Sequence, residues 1–135
     1  MRGECDAAIR ALPEGLIRGS DNDRQAMDAA RSNLREITGT RGVPLERKDF
    51  RELPDIIDAT IIVNPPYGIR IGELEPTRFL YKELGDFLKK HCQGSTAYVL
   101  CGNLELIPAI GLKPARRFPL FNGPIECRLL KIGIY

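Results

Sequence analysis

Apolar and polar positions along this chain follow two periods, a helical one and a strand-like one, and segments of the two kinds alternate. Near Glu4 to Ala11, Ala7, Ala8, Ile9 and Leu12 recur at helical spacing, and Pro13-Glu14-Gly15 stops them. Leu16 to Ser20 reads as a strand that runs into Asp21-Asn22-Asp23, residues that favour strand ends and helix N-caps. The next stretch predicts a helix to about Ile37. Its stripe of Ala26, Met27, Ala30, Leu34 and Ile37 has the period of a helix laid on a sheet, and Gly39 lies just beyond. Val43 to Lys48 predicts a second strand, ending at Asp49-Phe50. Ala59 to Val63 is apolar nearly throughout, the pattern of a strand covered on both faces, and is expected in a sheet's interior. After a loop through Glu73 to Pro76, Phe79, Leu80, Leu84, Phe87 and Leu88 mark a further amphipathic helix, with Gly94 beyond its basic end. Thr96 to Cys101 is a buried strand. Arg116 to Phe121, the turn Asn122-Gly123-Pro124, and Cys127 to Tyr135 form an antiparallel hairpin. Strands alternating with helices, without internal repeat or linker, predict an α/β sheet.

Length and composition narrow the setting. A chain of 135 residues is expected to form one domain around a single core. It is 43% hydrophobic and 28% charged, with no apolar run near the roughly 18 residues of a membrane span and no charged-then-apolar leader. A cytoplasmic protein without a membrane partner is the expectation. Cys5, Cys92, Cys101 and Cys127 are widely spaced and form no C-x-x-C pair, which argues for reduced, mostly buried thiols and against a metal site or disulfide framework. The net charge of +2 gives no global basic field. Lys113, Arg116, Arg117, Arg128 and Lys131 nevertheless concentrate positive charge near the C-terminus, which suits either nucleic acid or a solvated face. His91, after Lys89-Lys90, reads as helix C-terminal charge that complements the dipole.

Candidate chemistry concentrates where the Ala59–Val63 strand empties into Asn64-Pro65-Pro66-Tyr67. Two consecutive prolines fix φ and remove two backbone donors, so the Pro65 carbonyl is free to accept a hydrogen bond from outside the chain. The Asn64 side chain adds a second acceptor. Tyr67 offers a face on which a base can stack, an interaction worth roughly 1–3 kcal/mol per base. Together these groups suit a planar exocyclic amine; the plainer alternative is a strand ending in a Pro-Pro turn with a packing tyrosine. The tetrapeptide resembles the catalytic motif of the S-adenosylmethionine-dependent amino-methyltransferases, which methylate adenine N6, guanine N2 or a protein glutamine.

In an open α/β sheet, ligands gather beyond the carboxyl ends of the strands, where the other candidates fall. Asp21, with Asn22 beside it, is assigned to the cofactor ribose as a bidentate acceptor, helix capping alone being the alternative. Asp49 could accept from an adenine amine while Phe50 packs on the ring. Gly19-Ser20-Asp21-Asn22-Asp23, Asn64 to Gly68 and Asn122-Gly123-Pro124-Ile125-Glu126-Cys127 together resemble bacterial ribosomal RNA guanine-N2 methyltransferases. They are most similar to the large-subunit enzymes whose catalytic domain follows an RNA-binding THUMP domain. That resemblance, spanning about Leu16 to Tyr135, implies S-adenosyl-L-methionine as cofactor and ribosomal RNA as partner. It further implies methyl transfer to an amine positioned by Asn64 and the Pro65 carbonyl, with Pro66 and Tyr67 completing the site and no strong base required.

One part of the family pattern has no counterpart: the sequence contains no Gly-rich loop of the Asp-Pro-x-Cys-Gly-Ser-Gly kind and no strand preceding one. The expected fold is therefore a Rossmann-like class I methyltransferase sheet with a C-terminal antiparallel hairpin and its first, central strand missing. The chain reads as a C-terminal part of a larger catalytic domain, expected to bind S-adenosylmethionine poorly or not at all by itself. A vacant slot would expose two rows of unpaired backbone groups. Closure of the two halves, a homodimer, or the protein's missing N-terminal region would fill it. An adenine-N6 DNA methyltransferase, or a non-catalytic fragment that binds RNA or a partner through its basic end, are the alternative readings.

Overall fold

The computed structural model describes residues 12, 13, 15–37, 39, 40 and 42–135, so the helix expected near Glu4 to Ala11 lies outside the described residues. The chain divides into two compact units, Met1–Leu53 and Pro54–Tyr135.

In the first unit, β1 (Gly19–Asp21) pairs in parallel with β2 (Leu45–Arg47), Gly19 opposite Leu45 and Asp21 opposite Arg47. Both strands are shorter than the pattern predicts. The Leu16 N–H turns back onto the Pro13 carbonyl (3.2 Å), which keeps Leu16 out of the ladder, and Leu16 and Ile17 are exposed. Between the strands lies α1 (Arg24–Arg35), started by Asp23, whose side chain accepts from the Gln25 N–H at 3.1 Å. Of its predicted stripe only Met27 is fully buried. A 3-10 turn, Phe50–Glu52, follows β2.

The second unit holds most of the buried apolar side chains. Its sheet has the order β3 (Thr60–Val63), β4 (Thr96–Cys101), β6 (Ile125–Gly133), β5 (Arg116–Asn122), with β3 parallel to β4 and the rest antiparallel. Alternate residues of β4 and β6 (Ala97, Val99, Cys101, Leu130 and Ile132) are completely buried. Tyr81, Leu84, Phe87 and Leu88 of α2 (Leu74–His91) and Leu106, Ile107 and Ile110 of a 3-10 segment (Leu104–Ile110) complete the core. Each buried Leu or Ile contributes about 1.5–3 kcal/mol. On α2 the buried stripe runs Thr77, Tyr81, Leu84, Leu88, and the predicted member Phe79 points away from it, 60% exposed. Gly85 is required where α2 meets the 3-10 segment, since a Cβ there would strike the Ile110 carbonyl.

The β5–β6 hairpin closes through Gly123-Pro124, with Asn122 paired to Ile125. Gly123 has φ of 61° and Pro124 cannot, which is the pattern of a type II′ turn, the kind whose twist suits a hairpin. Mixed α/β architecture and a C-terminal hairpin are thus as expected. One expectation is corrected. β3 is an edge strand rather than an interior one: it pairs only with β4 among the described residues, and Ile62 is 80% exposed. Its apolar run is the mark of a neighbour that is not among these strands. Among the described residues the six strands form two sheets, β1 with β2 and β3 to β6. No described helix is long and apolar enough to cross a membrane.

Candidate active site

The approach to β3 is built by Ser95, buried just before β4. Its hydroxyl donates to the Ile56 carbonyl (3.0 Å) and accepts from the Ala59 N–H (3.1 Å), fixing the segment that enters β3. His91 helps from the end of α2, where its Nδ1 lies 2.7 Å from an Asp55 carboxylate oxygen, a contact beyond the dipole role read from its position. β3 then delivers Asn64 to the surface, exposed, followed by buried Pro65, exposed Pro66 and half-buried Tyr67. Gly68 closes the loop with φ of 62°, and a Cβ there would come within 2.8 Å of Thr77 in the first turn of α2.

A side chain that the sequence pattern left without a role holds this loop. Tyr81, completely buried on α2, donates its hydroxyl hydrogen to the Pro66 carbonyl at 2.8 Å. Burial, with the Cys101 thiol beside it, pushes that hydroxyl far above its ordinary pKa, so it remains a donor at every working pH. The Pro65 carbonyl, by contrast, has no hydrogen-bond partner among the described residues. One proline carbonyl is pinned and its neighbour is left available. A tyrosine on a buried helical stripe needs an acceptor, and that need was the signal by which Tyr81 could have been found.

Tyr67 is fixed from the other side. Its hydroxyl accepts from the Asn122 side-chain amide at 3.2 Å, with Cys127 Sγ at 3.9 Å. Its ring lies over Gly102, directly after β4, where a Cβ would collide with ring carbons. The Asn122-to-Cys127 tail, read from the sequence as a hairpin turn and a family mark, therefore touches the tetrapeptide physically. Cys92, Cys101 and Cys127 are free and buried, as expected, and Cys5 lies outside the described residues. Burial raises the Cys101 thiol pKa, and that thiol donates to the Asn103 carbonyl at 3.0 Å.

The other candidates belong to the first unit. Asp21 is the last residue of β1, and Asp49 lies just beyond the carboxyl end of its partner β2. Asp21 is exposed, and its Oδ1 accepts from the Asp23 N–H at 2.8 Å, which leaves acceptor sites on both carboxylate oxygens. Asp23, not Asp21, caps α1. Asn22 contributes its backbone carbonyl to Arg47 Nε at 3.2 Å. Asp49 caps the 3-10 turn and is taken up by Arg51, one oxygen receiving the backbone N–H (2.9 Å) and the other the guanidinium (2.8 Å). The same guanidinium stands 5.0 Å from the Phe50 ring centroid. Arg51, which the sequence did not single out, thus contacts both members of the pair expected at an adenine ring.

Of the basic residues, Arg116 and Arg117 lie on β5 and Arg128 and Lys131 on β6, so the cluster gathers on one hairpin.

Residues 1–131 match the family described as RMKL-like, methyltransferase domain. Among curated proteins the chain is 38% identical over 138 residues to the ribosomal RNA large subunit methyltransferase K/L of Syntrophotalea carbinolica, covering 98% of this chain and 19% of that protein. It is likewise 38% identical over 135 residues to the protein of the same name from Methylococcus capsulatus, covering 98% of this chain and 18% of that one. The chain spans about a third or less of the length of the curated relatives it matches. Among solved structures, a candidate methylase of Clostridium difficile 630 superposes with a TM-score of 0.86 at 23% identity, over 99% of this chain and 36% of that one, a likeness of fold alone. A candidate methyltransferase solved in complex with SAH gives 0.83 at 25% identity, with the same coverage.

Proposed function

Because the chain belongs to the RMKL-like methyltransferase domain family, we propose that it carries the acceptor-amine site of an S-adenosylmethionine-dependent RNA methyltransferase, acting on guanine N2 of large-subunit ribosomal RNA. The observation that carries this reading is the division of labour between the two prolines: Tyr81 holds the Pro66 carbonyl at 2.8 Å while the Pro65 carbonyl and the exposed Asn64 are left to receive an amine. The names of the curated relatives support ribosomal RNA as the substrate, and the solved neighbour with SAH supports the cofactor.

In this reading S-adenosylmethionine supplies an electrophilic methyl group. The Asn64 side-chain oxygen and the Pro65 carbonyl accept from the two amine hydrogens and aim the nitrogen lone pair, so orientation is the chain's main contribution. Tyr67, held by Asn122 and Gly102, backs the base. No side chain need remove a proton before the bond forms.

The residues of the first unit fit the cofactor in part. Asp21 offers an exposed carboxylate to the ribose hydroxyls, and Asp49 and Phe50 would receive the adenine beside Arg51, which contacts both. With no Gly-rich loop in the sequence, the 135-residue chain is expected to bind S-adenosylmethionine weakly. Calorimetric titration, with Asp21→Ala as control, tests this directly; a stoichiometric low-micromolar complex would show that the strand ends alone suffice. The substrate is tested by supplying a longer form of the protein with rRNA fragments and with adenine-containing DNA, and locating the methyl group. Transfer to adenine only would replace the guanine assignment.

A further inference from the structure

Residues 113–135 hold five of the chain's 20 Lys and Arg but only one of its 18 Asp and Glu. The hairpin is therefore the basic part of a chain that is otherwise slightly acidic. β5 is the edge of its sheet and is exposed at six of its seven positions. On one face of β5 stand Arg117, Pro119 and Phe121, alternating as a strand requires. Phe121 is 72% exposed, and Arg117 makes no ion pair or hydrogen bond among the described residues. Across the ladder from Pro119, Arg128 is held by Glu126 at 2.9 Å, and on the opposite face the Arg116 guanidinium lies 5.3 Å from the Phe118 ring centroid.

An exposed aromatic on a sheet edge invites another strand, but this edge is built against one. Pro119 has no N–H to give to a ladder, and neighbouring Arg116 and Arg117 add like charge, both recognised devices for blocking strand addition. A free cation alternating with a bare ring is, however, the chemistry that binds single-stranded nucleic acid, phosphate on the one and base on the other. Its position is equally specific. Asn122, the next residue after Phe121, is the one that holds the Tyr67 hydroxyl.

We propose that the Arg117–Pro119–Phe121 face of β5 is a docking strip for single-stranded RNA, Phe121 stacking a base that flanks the target nucleotide and Arg117 neutralising a phosphate. It deepens, and rests on, the reading of Asn64–Tyr67 as the acceptor site. The strip takes up the strand beside the target and so sets which base reaches Tyr67.

Fluorescence anisotropy with a short labelled single-stranded RNA tests it, using the 135-residue chain, Phe121→Ala, Phe121→Trp and Arg117→Gln across a salt series. Phe121→Ala is expected to weaken binding about 5- to 150-fold, the loss of one stacked base. Phe121→Trp should restore it, and Arg117→Gln should flatten the dependence of log affinity on log salt by about 0.7. Since both side chains are exposed, unchanged thermal melts will show that the variants are folded. Absence of binding by the wild-type chain, or binding that neither Phe121→Ala nor Arg117→Gln alters, would overturn the proposal. None of these readouts uses methyl transfer. If a longer form of the protein methylates no RNA, the acceptor reading fails while the Phe121 effect stands; if methylation proceeds and the Phe121 effect is missing, only the strip fails.

Discussion

The hydroxyl of Tyr81 and the carbonyl of Pro66 are joined by a 2.8 Å hydrogen bond from a completely buried helix position to an exposed loop. The bond crosses from the core to the site, so packing on α2 sets the position of the tetrapeptide. Tyr81→Phe keeps the ring and removes the donor. It should lower stability by about 0.5–1.5 kcal/mol, the net worth of one such bond, seen as a lower urea midpoint at unchanged slope. An unchanged midpoint would mean that water replaces the tyrosine without loss and that the loop is held otherwise.

Gly102 and Tyr67 make a second coupled pair. A methyl group at Gly102 would occupy the space of the Tyr67 ring, and the backbone of β4 just before it is fixed by pairing with both β3 and β6. Gly102→Ala should therefore displace the ring at a cost of about 1–3 kcal/mol and change the near-ultraviolet tyrosine circular dichroism. Combined with Tyr67→Ala, most of that cost should vanish, giving a coupling of about 0.5–3 kcal/mol in a double-mutant cycle. Additive effects would show that the two residues do not meet in solution.

Much of this site was legible in the sequence, and the part that was not has a physical cause. Asn64–Tyr67 stands out because local chemistry defines it: an apolar strand, two fixed φ angles and two acceptors in ten residues. The hairpin was legible for the same reason, since Asn122-Gly123-Pro124 carries its own turn geometry. Tyr81, Gly102 and the role of Asn122 depend instead on contacts between segments 15 to 55 residues apart, to which local periodicity is blind. The misplacement of β3 is of another kind. An apolar run reports the surroundings for which a strand is suited, and within this chain β3 has only half of them.

Alkaline pH should weaken the second unit. Burial, and secondarily the Asp55 carboxylate, push the Cys92 thiol from 9.0 up to about 11. The thiol therefore stays protonated in the folded chain where the unfolded one has already ionised. Its contribution is complete below about pH 9 and is lost as pH rises through about 11. Burial raises Cys101 and Tyr81 in the same direction, so the whole-protein slope is steeper than one group accounts for. Cys92→Ala should flatten the fall between about pH 9 and 11 by at most about 1.4 kcal/mol per pH unit, measured by urea midpoints. Parallel curves for the two proteins would assign the alkaline loss elsewhere.

The edge of β3 leads to the last expectation. β3 pairs only with β4 among the described residues, so the backbone groups of its outer side have no ladder partner there. Ile62, 80% exposed on that edge, leaves an apolar side chain beside an unpaired ladder, the combination that recruits a further strand. In a preparation of this chain alone, a second copy is the strand donor at hand. Sedimentation velocity should therefore show concentration-dependent dimers. Ile62→Lys, which places a charge where a neighbouring strand would lie, should return the chain to monomer with little change in its melting temperature, because the side chain buries almost nothing in the monomer. A wild-type chain that stays monomeric at high concentration would show that solvent satisfies this edge and that the exposed Ile62 has no such consequence. A dimer that survives Ile62→Lys would move the contact to another surface, with the exposed Ile69 and Ile71 of the loop leading to α2 as the next positions to substitute.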